Sequence, residues 1–294
     1  MYYRRKLILA LLELFDGKLE KIRLQKLLFL FAQSQDKPEY DFVPYRFGCY
    51  SFSAAADLST MVKKSQLKEE EKHFEKMDIA RYFTQLRPKD QATLKDIKAT
   101  YGKLSTKELT KTTYIQSPFY ATRSEIAESN LSKEEFAKVQ ASKPRQNTTV
   151  LFTIGYEGIS LEEYLLRLLK NNIHVLVDVR NNPLSMKFGF SKSQLRKYCE
   201  FLGIRYFHFP EVGIQSSLRR ELHSQSDYDK LFAEYDDACI PMTGKTQNAI
   251  LNILIQQKRI ALTCFESNIH QCHRKHLSEA IEKLPGFKFE VKHI

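Results

Sequence analysis

Apolar and polar positions alternate in two different regimes along this chain. In the first part the period is helical. RKLILALLEL predicts an amphipathic helix over roughly residues 4–14, stopped by Asp16-Gly17. A second helix is expected over about 23–32, with Leu24, Leu27, Leu28 and Phe31 on one face. KPEYDFVPYRFGCYSFS sets aromatics around Pro44 and Gly48, which predicts a short extended segment and a turn. SAAADLSTMVKKSQL is helical again, and a lysine-rich segment follows it. From about residue 68 to 145 the chain is rich in Lys, Glu, Gln and Thr, with helical stretches such as DIARYFTQL and SKEEFAKVQ. That region reads as a helical bridge closing the first domain. SKPRQNTT marks a linker, and the expected domains are 1–145 and 146–294.

After Thr149 the pattern changes to short β-branched runs separated by amphipathic helices. VLFTIGY is a strand entering a glycine turn, and SLEEYLLRLLKNN a helix with Ser160 as N-cap and Glu163 completing a capping box. HVLVDVR has the unbroken apolar character of a strand buried on both faces. SKSQLRKYCEFLG follows as a helix capped by Ser191 and stopped by Gly203, then IRYFHFP as a third strand. Helices are expected over about 227–238 and 247–257, then strand RIALTCF, helix CHRKHLSEAIEKL and a last short strand in FKFEVKHI. Alternating strands and helices imply a mostly parallel sheet with crossover helices. The fold class is therefore α/β: a three-layer C-terminal domain and a mainly helical N-terminal one.

Composition narrows the class. The 294 residues allow about two domains, and 43% are hydrophobic, enough for real cores. No apolar run is long enough for a membrane span. The charged N-terminal run lacks a signal-peptide cleavage site and carries Glu13 and Asp16, so a cytoplasmic location is expected. Five scattered cysteines make no disulfide framework and fit a reducing compartment. A formal net charge of +11 favours polyanionic partners, although simple solubility explains a basic excess as well.

In an open α/β sheet, ligands bind beyond the carboxyl ends of the strands. Each expected strand carries polar residues there: Gly155, Tyr156 and Glu157; Asp178, Arg180, Asn181 and Asn182; His208 and Glu211; Cys264, Glu266, Cys272, His273 and Arg274. The stretch CFESNIHQCHRKHL is the densest, and three chemistries compete for it. Zinc is the weakest, because only Cys272 and His276 show the one-turn offset that puts two donors on one helix face. A reactive Cys272 thiolate at a helix N-terminus beside His273 and Arg274 is the second, with an ordinary buried cysteine as the plain alternative. Carboxylate chemistry by Asp178, Glu266 or Glu157 is the third, against the plain alternative that Asp178 and Arg180 simply pair with each other. No cofactor and no metal enter the expected site.

Two resemblances add to this reading. LQKLLFL with FVPYRFGCYSFSAAADL resembles the N-terminal winged-helix-like modules of bacterial antitoxin and phage-defence proteins, with Cys49 where that pattern usually has proline. The resemblance implies Arg46, Tyr50, Ser51 and Lys63 as residues facing a phosphate backbone, against packing and solvation as the plain alternative. TIGYEG, VDVRNNPLSMKFGFSKSQL, GIRYFHFPEVG and LTCFESNIHQCHR strongly resemble domain-of-unknown-function family 488 over about Thr149 to the C-terminus. The match picks out Gly155, Tyr156, Asp178, Arg180, Pro183, Ser185, Phe190, Glu211, Gly213, Glu266, Cys272, His273 and Arg274. Glu157 fits one subgroup, and Val212 stands where leucine is usual. The resemblance implies a three-layer α/β fold with a polar pocket, often near DNA-repair or phage-defence contexts.

Together these features lead to an expected DNA-acting hydrolase of the DNA glycosylase kind, working on modified bases in anti-phage defence. Its substrate would be double-stranded DNA with the target base flipped into the pocket. Asp178, Glu266 and Glu157 are the candidate carboxylates and His273 the candidate proton donor. Tyr156 is placed to stack on the base. Arg180, Lys187, Lys192 and Arg274 are assigned to phosphate, with Asn182, Ser185, Phe190 and Cys272 also in the substrate site. The rivals are a Mg²⁺ nuclease using Asp178 and Glu266, a non-catalytic DNA-binding regulator or nucleotide sensor, and a thiol enzyme working through Cys272. Oligomeric state has no signature in the sequence.

Overall fold

The computed structural model describes residues 1–215, 222 and 224–294 and divides into two units, Met1–Lys143 and Pro144–Ile294. In the first unit, α1 (Tyr3–Leu14) and β1 (Lys18–Glu20) precede α2 (Lys21–Gln33), and β2 (Val43–Tyr45) pairs with β3 (Gly48–Tyr50). Next come α3 (Phe52–Lys63), β4 (Leu67–Glu69) and β5 (His73–Lys76), then α4 (Pro88–Tyr101), α5 (Thr106–Gln116), α6 (Ala127–Asn130) and α7 (Lys133–Ala141). β1, β5 and β4 form an antiparallel three-stranded sheet.

The first two helices are not amphipathic in place. Leu7 to Leu12 are all fully buried, and α2 is buried from Leu24 to Ala32. Helices surrounded on all sides are hydrophobic all round, and the sheet and α4 and α5 wrap this pair. Two polar side chains of α2 are therefore drawn inward, and both clamp the β2–β3 hairpin. Gln25 Oε1 accepts from Ser51 N at 3.0 Å, and the Lys26 ammonium donates to the Phe47 carbonyl. Its Nζ also lies 3.5 Å from Cys49 Sγ. Burial pushes the Lys26 ammonium below its ordinary pKa, since no carboxylate faces it among the described residues. Gly48 has φ +93°, and a Cβ there would meet Tyr114 and the Lys26 ammonium. The motif LQK and the turn FGCYS are thus two halves of one packing device.

Two other expectations fail here. DIARYFTQL holds only a 3₁₀ turn at Phe83–Gln85. Glu13 accepts from the Tyr82 and Phe83 amides at 2.7 and 2.9 Å, which fixes the chain in a turn rather than a helix. The lysine-rich segment after α3 is the β4–β5 hairpin.

The second unit runs β6 (Val150–Gly155), α8 (Leu161–Lys170), β7 (Val175–Asp178), α9 (Lys192–Phe201), β8 (Arg205–His208), α10 (Gln225–Glu234), a π-helical turn, α11 (Ile240–Met242), α12 (Gly244–Gln257), β9 (Arg259–Cys264), α13 (Arg274–Glu282) and β10 (Glu290–His293). All five strands are parallel, in the order β10-β6-β9-β7-β8. β6, β7 and β9 are buried at every position, as strands covered by helices on both faces must be. Ser160 caps α8 by accepting from the Glu163 amide. Ser191 precedes α9, but its hydroxyl donates to the Ser185 carbonyl instead of capping. From β6 the chain crosses to β7 on one side; from β9 it crosses to β10 on the other. β6 and β9 are neighbours whose connections leave in opposite directions, which opens a crevice at their carboxyl ends.

Across that end the register aligns Gly155 with Cys264, and Asp178 with both Thr263 and His208. Gly155 is required there: a Cβ would run into the Glu266 carbonyl. We expect Gly155→Ala to cost about 1–3 kcal/mol through overpacking, measured by urea unfolding against wild type. In the first unit, Asp57 is buried and accepts from Arg4 and Arg5 at 2.6 Å each and from Tyr40 at 2.9 Å. Asp57→Ala removes the acceptor shared by two partly exposed arginines and the Tyr40 hydroxyl, and is expected to lose about 1.5–3 kcal/mol in the same measurement.

Candidate functional site

Asp178, the last residue of β7, is fully buried, so its carboxylate must find donors inside the protein. Arg180 supplies them as a fork. Its Nε reaches Asp178 Oδ1 at 2.8 Å and its Nη2 reaches Oδ2 at 2.5 Å, with the Arg180 amide at 3.1 Å from Oδ1. The Tyr206 hydroxyl donates to Oδ2. Four donors fill the acceptor positions of a carboxylate. Asp178 therefore has no lone pair for a water, a proton transfer or Mg²⁺; it is a positioning residue, not the leading catalytic carboxylate that the sequence suggests. The plain alternative of an Asp178–Arg180 pair is what the fold contains.

The pair organises its surroundings. Arg180 Nη1 donates to the Tyr156 hydroxyl and to the Phe190 carbonyl, both at 2.8 Å. Burial opposes the guanidinium charge, but Asp178 outweighs it and holds the Arg180 pKa above its ordinary value. Burial together with Asp178 also pushes the Tyr206 phenol up, so its proton stays in place. Tyr206 pairs in register with Leu176 rather than Asp178, and only the length of a tyrosine carries its hydroxyl two residues up the same face. Tyr156 stacks on Phe190 with centroids 4.2 Å apart and meets Phe265 edge-on. One face of its ring is thus taken by Phe190, and the ring serves the pocket wall rather than stacking freely on a base.

Other assigned residues prove to be fasteners. The Arg274 guanidinium, buried at the start of α13, donates to the Glu266 carbonyl and, at 3.3 Å, to that of Ser267. Its Nε is buried with no hydrogen-bond partner among the described residues. Arg274 thus shapes the loop after β9 and is not placed to bind phosphate. Glu157, exposed, accepts from the Ser267 amide at 3.0 Å and ties the same loop to the end of β6. Lys187 donates to the Tyr156 carbonyl at 2.6 Å, and burial lowers its pKa. Lys192 lies 2.8 Å from His208 Nδ1, whose Nε2 faces the Arg180 carbonyl at 2.8 Å.

What remains open is a pocket of about 280 Å³, lined by Tyr156, Arg180, Asn181, Asn182, Leu184, Ser185, Ile214, Cys264 and Phe265. It lies at the crevice between β6, β7 and β9. Volumes near the lower end of ligand pockets suit a single ring system. Beside it stands Glu266, half-buried, with Oε2 at 3.1 Å from Cys264 Sγ. Cys264 Sγ in turn lies 3.7 Å from His273 Nδ1, and His273 Nε2 lies 3.0 Å from the Val179 carbonyl. His273 and Cys272 are fully buried and sit behind the pocket wall, not at its surface. Burial raises the Cys272 thiol well above its ordinary pKa, the opposite of what a reactive thiolate needs. His276 does not join Cys272; it bonds Asp236 at 2.8 Å.

The fold thus lines one crevice with Tyr156, Arg180, Asn182 and Ser185 and sets Glu266 next to the lining residues Cys264 and Phe265, while Glu157 and Lys192 hold Ser267 and His208 instead. Asn181, Ile214, Cys264 and Phe265 complete the lining, and Tyr206 supports it through Asp178. Asn181 stands among the expected strand-end residues and Phe265 adjoins one; Tyr206 was not legible, because its reach depends on the neighbouring strand. In the first unit, Arg46 and Lys63 are exposed and Tyr50 is half-buried against Tyr45 and Phe52. Ser51 is fully buried, and its hydroxyl caps α3 by accepting from the Ala54 amide at 3.2 Å, so it cannot face a phosphate backbone.

All five cysteines are free. Among the described residues no helix is long and apolar enough to cross a membrane. No curated protein matches the chain. The family profile described as "domain of unknown function DUF488" matches residues 160–281, from the cap of α8 to α13, leaving β6 with its TIGYEG motif and β10 outside the matched span.

Proposed function

We propose that the second unit hydrolyses the N-glycosidic bond of a base flipped out of double-stranded DNA, with Glu266 as the acid–base residue. The observation that carries this reading is the contrast between the two carboxylates at the strand ends. Asp178 is fully buried and saturated by Arg180 and Tyr206, while Glu266 is half-buried beside the pocket-lining Phe265 and accepts from the Cys264 thiol. A carboxylate that keeps contact with solvent next to the pocket-lining Cys264 and Phe265 can meet a substrate and its attacking water.

The pocket chemistry supports a heterocycle as the ligand. The amides of Asn181 and Asn182 and the Ser185 hydroxyl offer both donors and acceptors for a base edge, and the half-exposed Phe265 ring offers a face for stacking. Cleavage builds positive charge on the sugar; a nearby carboxylate stabilises it and takes the proton of the attacking water. The proton lands on Glu266, the water oxygen on the sugar, and the base departs with the bonding electron pair. A net charge of +11 favours approach to a polyanion. The first unit, in which α1, α2 and α3 come before the β4–β5 hairpin, supports a winged-helix-like reading in which exposed Arg46 and Lys63 meet the backbone.

Incubation with modified and unmodified duplexes should release free base and leave abasic sites. Glu266→Gln is expected to lower that rate by about 10²–10⁴-fold, the usual contribution of a general acid–base group. Glu157→Gln, which loosens only an exposed loop tie, should keep most of it. Base release by Glu266→Gln at the wild-type rate, or no release from any duplex, would sink the proposal.

A further inference from the structure

We propose that Cys264, Cys272 and His273 bind a thiolate-loving divalent metal ion, with zinc as the best fit. The three side chains come from the end of β9 and the turn entering α13, and all are buried. Their donor atoms lie within 4.8 Å of one another. Cys264 Sγ and His273 Nδ1 are 3.7 Å apart. Tetrahedral zinc, with Zn–S near 2.3 Å and Zn–N near 2.0 Å, separates those two donors by about 3.6 Å. The sequence spacing hid this arrangement, because Cys272 and His273 are adjacent and the third donor arrives from a different element.

An independent feature points the same way. His273 Nε2 lies 3.0 Å from the Val179 carbonyl, an acceptor that holds the ring proton on Nε2. Nδ1 then turns a lone pair, not a proton, toward Cys264 Sγ at 3.7 Å. Metal-binding imidazoles are oriented by this kind of bond from the opposite ring nitrogen. Two thiolates and a neutral imidazole cancel the 2+ charge, so the ion enters the interior without leaving a net charge to be solvated. Binding displaces one proton from each thiol, two in all.

Three protein donors leave a fourth position. Cys264 is the one of the three that also lines the pocket, and Glu266 Oε2 stands 3.1 Å from its sulfur. Soft thiolates select zinc and its relatives over Mg²⁺, which sets this site apart from an oxygen-ligated nuclease centre.

The test uses the reduced, full-length chain and cobalt(II) as a spectroscopic stand-in, followed by zinc. One equivalent of Co²⁺ should produce a thiolate-to-metal charge-transfer band, and Zn²⁺ should displace it. X-ray absorption on the zinc form should show two sulfur neighbours near 2.3 Å, a readout that needs no substitution. Cys272→Ser and His273→Ala, checked for folding by circular dichroism, should each weaken binding by more than about tenfold, the smallest loss seen when even a supporting group is removed. His276→Ala should bind as wild type. Glu266→Gln should also retain the metal, which separates failure of this site from failure of the glycosidic reading. The absence of a thiolate band, a zinc ion without sulfur neighbours, or full binding by both ligand variants would overturn the proposal.

Discussion

The buried fork of Arg180 on Asp178 is the constraint around which the second unit's upper edge is built. A carboxylate at the end of a central strand has no water to turn to, and the guanidinium two residues on satisfies it while reaching Tyr156 and the Phe190 carbonyl. One interaction thereby joins the ends of β6 and β7 to the loop entering α9. Tyr206 brings β8 into the same network. Removing either charge would strand the other in a dry interior, which is why such pairs hold shape more than they supply reactivity.

That assignment changes which residue is chemically interesting. Sequence position gives Asp178 and Glu266 equal standing, since both stand at the carboxyl ends of buried strands. Packing separates them. Asp178 is consumed by its neighbours, and Glu266 reaches a sulfur on the pocket wall. The same sorting demotes Arg274 from a phosphate ligand to a brace for the loop that carries Glu266. It also leaves Cys272 and His273 behind the wall, where protonation chemistry on a substrate is out of reach but coordination is not.

Much of the architecture was legible from periodicity alone. Strands as apolar as HVLVDVR and RIALTCF, alternating with helices, leave little choice but a parallel sheet, and the crevice follows from the crossing of its connections. The misreadings share a cause: distant side chains that override local preference. Glu13 binds amides some seventy residues away and turns DIARYFTQL out of a helix. Gln25 and Lys26 look like the polar face of an amphipathic helix, yet they close over a hairpin. The β4–β5 hairpin was invisible because its strands are three and four residues long and strongly charged. Tyr206 belongs to the site only through the register of β8 on β7.

The contact of Gly155 against the Glu266 backbone has a mechanical consequence. The Tyr156 and Glu157 amides both donate to the Phe265 carbonyl, and Glu157 grips Ser267 from the other direction. The two loops behave as a single plate riveted along its length. Parting them means breaking several bonds at once, so the two loops move together or not at all.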